Sequence, residues 1–205
     1  MRTHPLWRPY ELASDEENAA ARVIAPERRL PVEVVEPDPT WSTTYGVLAA
    51  RVRAALGDRV LAIEHVGSTA VPGLAAKPVI DIDLTVADSA DEAAYVPDME
   101  ADGWVLRIRE PDFEEHRLLR LEEPECHLHA WAPGSAEPQR HRAFRDWLIG
   151  HPDDREQYAA AKHAAAAEGH TDGMHYNNAK AWVVYDIYER IFAADPTYAH
   201  DPRPR

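Results

Sequence analysis

The chain has 205 residues, of which 22 are basic and 36 acidic, giving a formal charge of −14, and 45% are hydrophobic. That apolar fraction supports a packed core rather than disorder, while so negative a surface repels a polyphosphate backbone and excludes general nucleic-acid binding. A single cysteine (Cys126), the lack of any run of about 18 apolar residues and the lack of an apolar core in residues 1–10 exclude a disulfide, a membrane span and a secretory signal. A soluble cytoplasmic protein with no membrane partner is expected.

Residues 1–31 read as an N-terminal extension: residues 15–22 can form a short polar helix, and Pro26 and Pro31 bracket a loop. The domain begins at Val32 with a short alternating strand over residues 31–35, closed by the Glu36-Pro37-Asp38-Pro39 turn. Thr40 is placed to cap a helix over residues 41–56, whose apolar face is Trp41, Tyr45, Leu48, Val52 and Leu56. Strands follow at 60–66 and 79–86. Asp88 or Ser89 can cap a helix reaching Asp102, with Pro97 as an interruption point and Gly103 as its stop. Residues 104–109, 116–121 and 127–131 read as three more strands, and 136–149, 152–168 and 175–193 as helices punctuated by Gly150, Pro152, Gly169 and Gly173. The expected fold class is α+β: a mixed β-sheet flanked by helices, with C-terminal helices. The domain is assigned to residues 32–194 and a tail to 195–205.

The chemistry concentrates between residues 61 and 86. After a strand ending near His65, Gly67 permits a tight turn, and the amides around Ser68 and Thr69 can converge on an anion. On the next strand Asp81 and Asp83 stand at i and i+2, so alternation puts both carboxylates on one face and Ile80, Ile82 and Leu84 on the buried one. Two carboxylates on a stiff strand repel each other, and a hard divalent cation relieves that repulsion while bridging substrate phosphates. His127 and His129 repeat the i, i+2 spacing, with Leu128 and Ala130 towards the core. If their strand neighbours that of Asp81, a cluster of two histidines and two aspartates results.

Other residues carry two readings each. His65 either touches a ligand or caps the strand end. Lys77 either pairs with a triphosphate or is solvated. Arg145 and Asp146 adjoin on a helix and point different ways, so Arg145 reaches either the site or an acidic neighbour. Tyr158 with Lys162, and Tyr176 with Lys180, repeat a four-residue helical spacing that suits either packing or an amine aimed at a ligand. Lys77, Lys162 and Lys180 are the chain's only lysines, which singles out Lys180. Cys126 begins an apolar strand and is expected to be buried and inert. Glu137 reads as a first-turn charge favouring the helix dipole.

The stretch from His65 to Val86, HVGSTAVPGLAAKPVIDIDLTV, resembles the signature of the GrpB family. The likeness extends to the Asp38-Pro39-Thr40-Trp41 segment, to His127-Leu128-His129, and to Phe144-Arg145-Asp146, His151-Pro152, Tyr158 and Lys162. Tyr176 and Lys180 complete it, so that it spans residues 32–192. The resemblance implies a nucleotidyltransferase-like fold, and it connects the chain to a GrpB-like domain found fused to dephospho-CoA kinase. It implies metal-dependent transfer of a nucleotidyl or related phosphoryl group to a small-molecule acceptor. Asp81 and Asp83 would hold the metal and, with His127 and His129, form the catalytic set. His65, Gly67, Ser68, Thr69, Lys77, Arg145 and Lys180 would bind a small-molecule or nucleotide substrate. The cofactor would be Mg²⁺ or Mn²⁺, or Zn²⁺ or Fe²⁺ if His127 and His129 ligate. The nucleotidyltransferase superfamily draws a third carboxylate from a later strand, where this chain has His127 and His129. Two alternatives stay open: a non-catalytic nucleotide-binding or chaperone-like module, and a ligase or hydrolase built on the His/Asp cluster.

Overall fold

The computed structural model describes residues 2–24 and 31–205; Pro26, expected to bracket a loop, lies outside the described residues. Five strands, β1 (Ala62–Val66), β2 (Ile80–Thr85), β3 (Val105–Glu110), β4 (His116–Leu121) and β5 (Cys126–Trp131), form one sheet in the order β1-β2-β5-β4-β3. β3, β4 and β5 follow one another as antiparallel hairpins, and β1 pairs antiparallel with β2. β2 and β5 are parallel, and this central pair brings the two halves of the sheet together.

Among the described residues six helices accompany the sheet: α1 (Asp15–Ala21), α2 (Trp41–Leu56), α3 (Val96–Ala101), α4 (Ala136–Gly150), α5 (Pro152–Ala167) and α6 (Gly173–Ala194). Alternation along the strands sends Ile80, Ile82, Leu84, Leu119, Leu128 and Ala130 to one face, where they pack on the Trp41, Leu48, Val52 and Leu56 stripe of α2 and on Val96 and Met99 of α3. A second core joins Leu148, Tyr158, Val183 and Ile187 of α4–α6 to Val71 and Leu74, on the segment that links β1 to β2. The other sheet face carries the polar residues. The mixed α+β architecture is the one expected, and no helix among the described residues is long and apolar enough to cross a membrane.

Three local expectations are corrected. The strand at 31–35 is a single bridge between Val35 and Ala76, because Pro37 and Pro39 remove the donors that would extend the ladder. Thr40 does not cap α2 with its side chain; Asp38 instead accepts from the Thr40 amide at 2.8 Å and its hydroxyl at 2.7 Å, closing the turn ahead of the helix. The helix expected from 88 or 89 to 102 is a one-turn 3-10 segment, Glu92–Ala94, followed by the short α3. Pro97 lies in the first turn of α3, where its missing N–H costs nothing, so it marks a start rather than an interruption.

Residues 2–13 cross α6 and meet the C-terminal tail. Trp7 Nε1 donates to Glu189 at 2.6 Å, the Arg140 guanidinium donates to the Leu6 carbonyl, and Asn178 exchanges two hydrogen bonds with the backbone of Ala13. Arg8 pairs with Glu114 at 2.5 Å and Glu137 at 2.6 Å.

Candidate functional site: an Asp–His cluster at the parallel strand pair

The parallel register of β2 and β5 sets Asp81 beside His127 and Asp83 beside His129. Asp81 Oδ1 lies 3.5 Å from His127 Nδ1 and 3.9 Å from His129 Nε2. Burial pushes the Asp81 carboxyl upward, but the His127 and His129 imidazoles outweigh it and hold the group well below the usual carboxylate range. Asp81 is therefore an anion, with its side chain 30% exposed at the cluster's open side.

Asp83 differs from Asp81. Its side chain is 4% exposed, its Oδ1 accepts from Trp131 Nε1 at 2.9 Å, and His141 Nδ1 lies 2.9 Å from Oδ2 and 3.2 Å from Oδ1. Burial raises the Asp83 carboxyl, and the hydrogen bond and charge of His141 lower it further than burial raises it. Reciprocally, burial lowers the proton affinity of His141, while Asp83 and then Glu137 raise it above the ordinary imidazole value. A carboxylate has about four lone-pair sites, so Asp83 keeps acceptor capacity beyond these two donors. It is nevertheless a carboxylate held by protein donors, where Asp81 is the open one.

Behind His129 runs a chain of imidazoles ending on a carboxylate. His116 Nδ1 is 2.6 Å from Glu110 and His116 Nε2 is 3.0 Å from His129 Nδ1. Burial holds the His116 ring below its ordinary proton affinity despite Glu110. His116 bridges Glu110 and His129 through its two ring nitrogens. The other ring nitrogen of His129, Nε2, faces Asp81. Between an imidazole nitrogen and a carboxylate either a proton or a metal cation can stand.

Gly67 brings the expected phosphate turn against this cluster. Its φ is +69°, and a Cβ on it would lie 2.3 Å from Asp81 Oδ2, so only glycine lets the turn come this close. Ser68 is half-buried on the same turn. The Thr69 side chain turns inward. Its buried hydroxyl donates to the Val79 carbonyl at 3.2 Å and accepts from His65 Nε2 at 3.0 Å, which locks the turn to the start of β2. His65 stacks on Tyr45, and burial lowers its pKa to about 4, so it is a neutral donor to Thr69.

Arg145 reaches the turn from α4. It donates to the His65 carbonyl at 2.8 Å and to Glu64 at 3.3 Å. Its Nε also donates to Asp146 at 2.8 Å, against the expectation that these neighbours diverge: the long arm curls back over its own turn. Lys77 is not drawn into the cluster; its amine lies 4.0 Å from Glu125. Lys180 sits apart on α6, its amine 3.5 Å from the Tyr158 hydroxyl. Cys126 is buried, and burial raises its thiol pKa, as an inert cysteine requires.

Three cluster residues escaped the sequence reading, Trp131, His116 and His141, and Glu137 reads there only as a first-turn charge. Trp131 was legible, since it continues the i, i+2 series of His127 and His129. The Glu137–His141 spacing of four on one helix was a weaker signal. Glu137 is buried and paired with Arg8 at 2.6 Å and Arg140 at 2.9 Å, so it is no free first-turn charge. His116 needed the β4–β5 pairing to be seen.

The donor set fits a divalent cation by type: one open carboxylate, two imidazoles and a second, held carboxylate. Among the described residues it is not a finished cage, since no three such side chains stand in ligand geometry. The residues would have to draw together around an ion.

Fold and site together define an α+β protein with an Asp–His cluster on a central parallel strand pair. Residues 31–190 match the family described as GrpB protein, and the chain belongs to the GrpB family. The UPF0157 protein BH1888 of Halalkalibacterium halodurans is 45% identical over 162 residues, covering 79% of this chain and 83% of that protein. A dephospho-CoA kinase of Mycolicibacterium paratuberculosis is 32% identical over a stretch covering 85% of this chain and 49% of that protein, so the likeness spans about half of it. The crystal structure of the conserved protein GrpB from Enterococcus faecalis aligns with a TM-score of 0.62 at 26% identity, over 76% of this chain and 99% of that one.

Proposed function

We propose that this protein is a divalent-metal-dependent transferase that passes a nucleotidyl or related phosphoryl group to a small-molecule acceptor. The observation that carries the reading is His129 Nε2 held 3.9 Å from the Asp81 carboxylate, beside the Gly67 turn. Asp81, His127 and His129 would hold the metal, with Asp83 adding one of its remaining lone pairs. A divalent cation bound there would neutralise charge on the transferring group and orient in-line attack.

The chain's own residues supply the rest. The Gly67–Ser68 backbone and the Ser68 hydroxyl offer donors to phosphate oxygens. Thr69, His65 and Arg145 fix the turn so that those donors need not reorganise when a phosphate arrives. His141 keeps Asp83 ionised within a buried setting. A mixed nitrogen and oxygen set favours Mn²⁺, Zn²⁺ or Fe²⁺ over Mg²⁺. Relatives named dephospho-CoA kinase, in which a region like this chain forms about half, support a role close to nucleotide chemistry.

The test is turnover of labelled nucleoside triphosphates with Mg²⁺, Mn²⁺ or Zn²⁺ and a panel of small acceptors, for wild type and Asp81→Asn. Metal-dependent transfer lost in the variant supports the reading. Nucleotide bound without turnover moves the protein to a non-catalytic binding module. Water as the sole acceptor moves it to a hydrolase; the four-histidine environment of the carboxylates is the feature that favours this second reading.

A further inference from the structure

Two of the chain's three lysines meet between α5 and α6. Lys162 is 1% exposed, and its amine donates to the Ala75 carbonyl. The Lys162 and Lys180 amines lie 4.7 and 5.5 Å from the centre of the same Tyr158 ring, and Lys180 also lies 5.3 Å from the Tyr176 ring. Among the described residues neither amine has a carboxylate partner, in a chain with 36 acidic side chains. The Tyr176 hydroxyl is buried and has no hydrogen-bond partner there.

Such a group of side chains is costly when empty. Two adjacent ammonium groups repel, and ring faces return only part of the solvation lost on burial. An orphaned buried hydroxyl adds a further penalty. Burial of Lys162, and then the charge of Lys180, lower the Lys162 pKa to about 7. Lys180, half-buried, is the member of the group that lines a cavity of about 390 Å³, together with Trp7, Tyr10 and Tyr188.

We propose that Lys162, Lys180 and the Tyr158 and Tyr176 hydroxyls form a binding site for a phosphate-type oxyanion, reached through the cavity that Lys180 lines. A multiply charged tetrahedral anion accepts from ammonium and phenol donors at once and neutralises both lysines. Ala75, the acceptor of Lys162, lies on the segment joining the Gly67 turn to β2, so anion and turn share one amine as an anchor. The site does not depend on a metal at Asp81.

With three lysines, the intact chain made with lysine labelled at the ε-carbon gives three NMR signals, from Lys77, Lys162 and Lys180. It is titrated with inorganic phosphate, pyrophosphate and a nucleoside triphosphate, all without metal. The Lys162 and Lys180 signals are expected to move together and saturate with one Kd, while that of Lys77 does not follow them. Lys180→Met, at a half-exposed position that tolerates truncation, is expected to weaken binding by about tenfold or more, and Tyr176→Phe by several-fold. Asp81→Asn is expected to bind as wild type, which separates this site from the metal reading. Equal affinity for phosphate and triphosphate assigns a free anion; tighter triphosphate assigns the tail of a nucleotide. Unmoved Lys162 and Lys180 signals, shifts that never saturate, or shifts that survive Lys180→Met overturn the proposal.

Discussion

His141 Nδ1 of α4 stands 2.9 Å from Asp83 Oδ2 of β2, an ion pair between a helix and the centre of the sheet. Each partner shifts the other: Asp83 is held below the usual carboxylate range and His141 above the usual imidazole one.

The stability that this pair supplies is therefore bounded on both sides. The contribution of Asp83 is complete above its unfolded value of 3.8 and is lost as pH falls through its folded value. The contribution of His141 is complete below 6.5 and is lost as pH rises through its folded value. A double-mutant cycle with His141→Ala and Asp83→Asn should give its largest coupling near pH 5 and a smaller one at pH 9. His141→Ala alone should cost about 3 kcal/mol at pH 5 in denaturant unfolding, since it strands a buried carboxylate. A coupling that does not change between the two pH values would refute the pairing.

Gly67→Ala should destabilise the chain by about 1–3 kcal/mol, because a left-handed backbone and a clash with Asp81 act at one position. It should also weaken metal binding by moving the Asp81 carboxylate. Thermal unfolding and calorimetric Mn²⁺ titration of the same variant check both; wild-type values in both would mean that the turn does not touch Asp81.

His116 is expected to act on the metal through His129. His116→Leu should lower Mn²⁺ or Zn²⁺ affinity by about 10–100-fold, the usual effect of losing an outer partner of a ligating imidazole. Asp81→Asn should abolish binding. Calorimetry distinguishes the two roles, and an isotherm unchanged by His116→Leu would confine that residue to packing.

Lys162 makes the chain's stability sensitive to alkali in an unusual direction. Burial and the neighbouring Lys180 lower its pKa from 10.5 to about 7, so between those values the unfolded chain binds more protons than the folded one. Stability from this group must rise with pH across that window. Lys162→Met should remove the rise. Urea unfolding at pH 7 and pH 10 compares the two slopes; parallel changes in wild type and variant would show that Lys162 keeps an ordinary amine.

What the sequence determined by itself is what strand and helix geometry fix locally. Alternation put Asp81 with Asp83 and His127 with His129 on single faces, because the strand period of two is a property of the backbone. The apolar stripe of α2 and the glycine turn at 67 followed from equally local rules. Only the tertiary structure decided which strands lie side by side. β5 joins β2 in parallel although β3 and β4 intervene in the chain, and that choice reflects the burial of Ile82, Leu84, Leu128 and Ala130 in one core. From it follow the Asp81–His127 contact, the chain from Glu110 through His116 to His129, and the difference between the two aspartates. The packing of α4 over the sheet supplied His141, and no local period reports where a helix will rest. Side-chain direction is settled within a few residues of backbone, whereas partnership across the sheet is settled by the burial of distant apolar surface.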